Sequence, residues 1–229
     1  MINLGSNRFV GVAAGSNHAC GLTVSGRVIC WGERSAGAVG DCQNDQFGTG
    51  YERVKKRTPN NEAVVLRDVR SIASYKETTC AVTHSGSVYC WGAGDDGQRE
   101  EDAPANCATQ PASQVLQNME NVSVGDQFIC ARSRTGEVAC WGRNQEIQLG
   151  STIDDQCVDG SSSICSRIPR TIEIPESTKI LATGKAACAQ DVEHQKIRCW
   201  GPGHNLSLPS NVQGTEIIDR GFLPGLLRG

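Results

Sequence analysis

Residues 12–32 read VAAGSNHACGLTVSGRVICWG. The pattern returns as IASYKETTCAVTHSGSVYCWG at 72–92, VSVGDQFICARSRTGEVACWG at 122–142 and ILATGKAACAQDVEHQKIRCWG at 180–201. All four tryptophans, Trp31, Trp91, Trp141 and Trp200, stand in the CWG triplet. Self-similarity at a nearly regular period marks a repeat architecture, in which each unit buries its apolar face against a neighbour. In the first three copies the two cysteines are ten residues apart: Cys20 and Cys30, Cys80 and Cys90, Cys130 and Cys140. A three-residue loop at each midpoint, Val24-Ser25-Gly26, His84-Ser85-Gly86 or Arg134-Thr135-Gly136, sets each pair directly opposite across an antiparallel hairpin. Such loops favour a type I turn closed by a left-handed residue, and glycine stands third each time.

The fourth copy tests the register. Cys188 and Cys199 are eleven apart, and the loop glycine is absent from Val192-Glu193-His194-Gln195. A four-residue loop restores the same cross-strand pairing. Opposed residues at a non-hydrogen-bonded position lie close enough for a disulfide. Each closed loop is expected to stabilise its unit by roughly 2–3 kcal/mol. Zinc is the competing use of cysteine, but the chain has no CxxC, and His18, His84, His194 and His204 are scattered. Twelve cysteines in 229 residues therefore read as disulfides, which implies an oxidising, secreted or cell-surface location.

Composition agrees with many short strands. Glycine occurs 26 times, aromatic residues make up 5%, and the net charge is −3, without the basic excess of a nucleic-acid-binding chain. There is no apolar run long enough for a membrane span, and the opening MINLGSNRFV shows no signal peptide. Alternation along the strands sends Val28 and Cys30 to one face and Ile29 and Trp31 to the other. The tryptophans are accordingly expected to pack between units rather than to stack a ligand.

The stretches GSNHACGLTVSGRVICWG, TTCAVTHSGSVYCWGAGDDGQ and FICARSRTGEVACWGRNQEIQLG resemble the regulator of chromosome condensation repeat. The resemblance extends through four copies over nearly the whole chain. It implies an all-β fold, a β-propeller or propeller arc of four antiparallel units with intra-hairpin disulfides. In that family His18 sits at a framework position, and the cysteine-rich CWG variant looks like that of secreted members and plant receptor-kinase ectodomains. The expected units are 9–66, 67–116, 117–175 and 176–215 within one domain, with a partial fifth at 216–229. Its Glu216–Gly221 stretch resembles the strand before each hairpin and could pair near Phe9–Ala13 to close a ring; an arc of a larger ring, or a ring completed by another chain, fits the sequence equally.

Variation concentrates in 33–67, 93–117 and 143–176, loops of the kind that carry binding surfaces on a rigid scaffold. Cys157 and Cys165 bracket one such loop and are expected to pair, leaving Cys42 and Cys107 to bridge consecutive units. DDQCVDGSSS at 154–163 offers oxygens to calcium but misses the spacing of a calcium loop, so it reads as solvated. Arg53, Lys55, Lys56 and Arg57, and the acidic run at 93–102, read as solvated too. Asn121 and Asn205 open glycosylation sequons. No nucleophile elbow, phosphate loop or histidine pair points to catalysis, and no cofactor is implied. The expected function is an extracytoplasmic, non-enzymatic module binding a protein or copies of itself. The alternatives are inhibition of a secreted enzyme and guanine-nucleotide exchange.

Overall fold

The computed structural model describes residues 7–33, 35–40, 63–94, 97–98, 116, 118–153, 164–191 and 196–202. Within them the fold is all-β, four antiparallel sheets, one per repeat. The first sheet, or blade, holds β1 (Phe9–Ala14), β2 (His18–Thr23), β3 (Val28–Gly32) and β4 (Ala63–Leu66). The second holds β5 (Val69–Tyr75), β6 (Thr78–Thr83) and β7 (Val88–Gly92). The third holds β8 (Met119–Val124), β9 (Phe128–Ser133), β10 (Val138–Arg143) and β11 (Cys165–Thr171). The fourth holds β12 (Ser177–Thr183), β13 (Ala186–Asp191) and β14 (Ile197–Trp200).

The hairpins take the expected register. Cys20 faces Cys30, Cys80 faces Cys90, Cys130 faces Cys140 and Cys188 faces Cys199, and all four pairs are disulfides. Their Cα atoms are 4.1 Å apart in the first three and 4.0 Å in the fourth, the short spacing of a non-hydrogen-bonded pair. The loop ends explain that parity. Thr23 N–H donates to the Arg27 carbonyl at 2.9 Å and Gly26 N–H to the Thr23 carbonyl at 3.0 Å. Pairs then alternate inward, so Cys20 and Cys30 fall where the side chains approach most closely. Gly26, Gly86 and Gly136 have φ of +72°, +88° and +93°, the left-handed conformation the loop requires. In the fourth blade Asp191 N–H donates to the Lys196 carbonyl at 2.9 Å, closing the hairpin around four residues.

One feature of the blades is absent from the hairpin pattern. The first strand of each blade slips register against its neighbour near its start, at Phe9/Gly11, Val69/Ser71, Met119/Asn121 and Ser177/Lys179. A bulge re-aims the extra side chain, here Val10, Arg70, Glu120 or Thr178.

Each blade has a front face carrying the disulfide and a rear face carrying the tryptophan. The front of blade 1 (Cys20, Leu22, Val28, Cys30) packs on the rear of blade 2 (Ile72, Ala81, Tyr89, Trp91). The front of blade 2 meets Val122, Val124, Ile129 and Trp141 of blade 3, and the front of blade 3 meets Ile180, Ala182 and Trp200 of blade 4. The hydrophobic core is therefore three like interfaces in series, not one centre. The extensive contacts between blades join β1 and β2 to β5, β5 and β6 to β8, and β8 and β9 to β12. No contact of that extent joins blade 4 to blade 1 among the described residues, which form an arc.

Candidate interaction faces of the arc

The strand order gives the arc two rims. One, the hairpin rim, carries the loops 24–26, 84–86 and 134–136. The opposite rim carries the turns between the first two strands of each blade and the ends of β3, β7, β10 and β14, where the long connecting segments leave. We call it the exit rim.

The hairpin rim is committed to holding blades together. The carbonyls of Gly26, Gly86 and Gly136 accept from the N–H groups of Val69, Met119 and Ser177 at 2.9, 3.1 and 2.9 Å, each bond running to the first strand of the next blade. The Arg134 guanidinium donates to the His84 carbonyl at 2.7 Å.

At the exit rim, the glycine of CWG lies against the backbone of its own blade's first turn. A Cβ on Gly142 would stand 2.5 Å from the Gln127 carbonyl oxygen, and that carbonyl already accepts from Arg143 N–H at 2.8 Å. The repeated triplet thus joins three tasks: the disulfide, the tryptophan packed on the neighbour, and the close backbone approach. Charged groups top this rim and pair across blades. Lys76 Nζ lies 2.8 Å from Asp126 Oδ1, and Lys185 pairs with Glu146. The hydrogen bond to Asp126 raises the Lys76 ammonium above its ordinary value. Backbone bonds run alongside: Ser16 N–H to the Lys76 carbonyl at 2.9 Å, and Asp126 N–H to the Gly184 carbonyl.

Beside the hairpin rim, the bulges bring together a cluster that composition did not reveal. Glu120 is held between Arg70 of blade 2, at 2.9 Å, and Arg132 of its own blade, which also donates to the Ser177 carbonyl of blade 4 at 3.2 Å. Glu120 and Arg132 together thereby tie three blades.

The residues singled out from sequence distribute as follows. Trp91, Trp141 and Trp200 are fully buried between blades, and Trp31 is half-buried. Trp91 Nε1 donates to the Ala38 carbonyl at 3.1 Å and Trp141 Nε1 to the Gln98 carbonyl at 3.0 Å, both on the segment leaving the preceding blade. Trp200 is packed at the matching place, and its Nε1 has no partner among the described residues. His18 is buried, with Nε2 2.7 Å from Thr79 Oγ1 of blade 2. Burial lowers its pKa from the ordinary histidine value, against a smaller opposing pull from Glu77. Asn121 is half-buried in β8 and donates to Ser71 Oγ at 3.3 Å, so its amide is engaged between blades. Cys165 is disulfide-bonded. Cys42, Cys107, Cys157, Asn205, Arg53, Lys55, Lys56, Arg57, the 154–163 stretch and the partial unit 216–229 lie outside the described residues, as do the ring closure and the pairings expected there.

Among the described residues no three histidine, cysteine or acidic side chains gather as a metal site, and no helix is long and apolar enough to cross a membrane.

Comparison with known proteins agrees with the repeat frame. The model of the Regulator of chromosome condensation (RCC1) repeat matches residues 9–37, 69–98 and 120–148. The human E3 ubiquitin-protein ligase HERC2 is 34% identical over 90 residues, 39% of this chain and 2% of that protein. The crystal structure of Prp20p from Saccharomyces cerevisiae superposes with a TM-score of 0.68 at 21% identity, over 86% of this chain and 46% of that one. The ectodomain of the Physcomitrella patens receptor kinase CR4 gives 0.51 at 18% identity, over 90% and 44%. The chain thus spans less than half the length of each of these three relatives.

Proposed function

We propose, from the three segments that match the regulator of chromosome condensation repeat, that this chain is a non-enzymatic, protein-binding propeller arc working in an extracytoplasmic compartment. The observation that carries the reading is the exit rim. Every long connecting segment leaves the scaffold at that rim, and the scaffold beneath is stapled by a disulfide in each blade. Rigid repeat frameworks present partners with such clustered, variable segments. Two ion pairs across blades, Lys76–Asp126 and Lys185–Glu146, stand at the rim, and no cluster there suggests an acid–base site among the described residues. Four hairpin disulfides favour an oxidising location, since glutathione and thioredoxin keep cytosolic thiols reduced. The fold serves protein binding in Prp20p, whose structure is described with its binding to Gsp1p and histones, and an ectodomain in CR4.

Two measurements test the reading. Cross-linking and affinity capture from the native source are expected to yield a protein partner bound through the exit rim; recovery of the chain solely as free monomer would sink the binding role. Non-reducing peptide mapping of native material is expected to recover the four hairpin pairs, and free thiols at Cys20 and Cys30 would overturn the compartment. A nucleotide-exchange assay on small GTPases is expected to show no acceleration.

A further inference from the structure

Three interfaces within the chain follow one rule, front disulfide face on rear tryptophan face, and among the described residues no other blade covers one face of each kind. At one end is the rear of blade 1. Its Val12 stands where Ile72, Val122 and Ile180 stand in the other blades. Those three pack against the preceding blade's front, whereas Val12 is 66% exposed. Ala14 is exposed where Val124 and Ala182 are buried. Phe9 meets Trp31 edge to face at 6.3 Å and lies over Gly21, where a Cβ would stand 2.4 Å from its ring; alanine occupies this position in the other three blades. Even with that cover the face keeps Val12 open.

At the other end is the front of blade 4. Cys188 and Ile197 are partly exposed there, whereas Cys20, Cys80, Cys130, Val28, Val88 and Val138 at the same positions are buried. The two leftover faces are the two halves of the interface the molecule already builds three times.

We propose that the rear face of blade 1 receives the front face of blade 4 from a second copy of this chain, so that arcs associate head to tail. The inference deepens the protein-binding reading by naming one partner, and it rests on the repeat geometry rather than on the exit rim. A head-to-tail contact is heterologous, with different residues on its two sides. That property supplies the test.

The oxidised 229-residue chain is studied by sedimentation over a wide concentration range. Val12→Glu alters the rear face only and Ile197→Glu the front face only. Ile168→Glu, on the exposed part of β11, is the surface control. Wild type and the control are expected to associate alike, and each of the other two at least tenfold more weakly. An equimolar mixture of the two weakened variants is expected to regain association, because each retains the face the other has lost. Circular dichroism and the hairpin peptide map, unchanged, show that the variants fold. A wild type that stays monomeric throughout, a Val12→Glu chain that associates like wild type, or a mixture no better than its components would overturn the proposal. None of these outcomes touches capture of a different protein at the exit rim.

Discussion

A single backbone position shows how closely turn chemistry and assembly are joined. Gly136 has φ +93°, and a Cβ there would lie 2.8 Å from Ser177 N, the group that donates to its own carbonyl. Alanine at 136 therefore meets left-handed strain and must also push away the next blade's first strand. At Gly26 the conformation is similar, φ +72°, but the nearest backbone atom to a Cβ is 3.3 Å away. Gly26→Ala is expected to cost about 1 kcal/mol and Gly136→Ala about 2–3 kcal/mol in urea unfolding; equal costs would show that the inter-blade contact is immaterial. His18 illustrates a titratable group placed at such a contact. Burial lowers its folded-state pKa below the unfolded value near 6.5. Between those two values the unfolded chain binds more protons, so the stability this residue contributes is present above about pH 6.5 and is lost as the pH falls towards the lowered native value. His18→Phe borrows the residue of Phe128, which holds the same place in blade 3. The variant is expected to lose less stability than wild type between about pH 7.5 and 5, as measured by denaturant melts at the two values. Equal losses would remove His18 as a source of the acid sensitivity.

At the scale of strands and hairpins, the local and the distant divide sharply in how they are written. Cysteine parity, loop length and loop glycine are properties of eleven or twelve consecutive residues, so the hairpin register and the cross-strand staples could be read directly, including the altered fourth loop. Trp91, Trp141 and Trp200 pack between units as expected and Trp31 does not; the carbonyls that Trp91 and Trp141 bond were not legible, because Trp91 and Ala38 are 53 positions apart and Trp141 and Gln98 are 43 apart. The Arg70–Glu120 pair was hidden for a second reason: it depends on bulges, each an extra residue that breaks the alternation of the strand at a point the local sequence does not mark. Front and rear burial also separates four hairpins that look alike in sequence. Thiol–disulfide exchange needs access for the attacking thiolate. Cys20, Cys80 and Cys130 are wholly buried, while Cys188 is partly exposed. Graded reduction of dilute chain followed by alkylation and mass mapping is expected to open Cys188–Cys199 before the other three hairpins. Simultaneous opening of all four would mean that reduction proceeds through global unfolding instead.

For the whole molecule, a core divided into three serial interfaces has a different stability profile from a core with one centre. In repeat proteins the free energy is close to a sum of unit terms and nearest-neighbour terms, so a unit's protection depends on how many of its faces are covered. Blades 2 and 3 are covered front and rear, and blades 1 and 4 are each covered once by another blade. Arg132 and Glu120 reinforce the middle by linking blades 2, 3 and 4, while the rear of blade 1 is left to Phe9, Trp31 and an exposed Val12. Native-state hydrogen exchange at high dilution is therefore expected to be slowest in β6 and β9 and faster in β1 and β14. Raising the chain concentration is expected to slow exchange selectively in the two end blades, because head-to-tail docking would give each its missing neighbour. Protection that is uniform across the four blades at dilution would show that the arc unfolds as one cooperative body, and the nearest-neighbour account would fail. A gradient that does not respond to concentration would keep that account but leave the end faces bare, separating the energetics of the arc from its assembly.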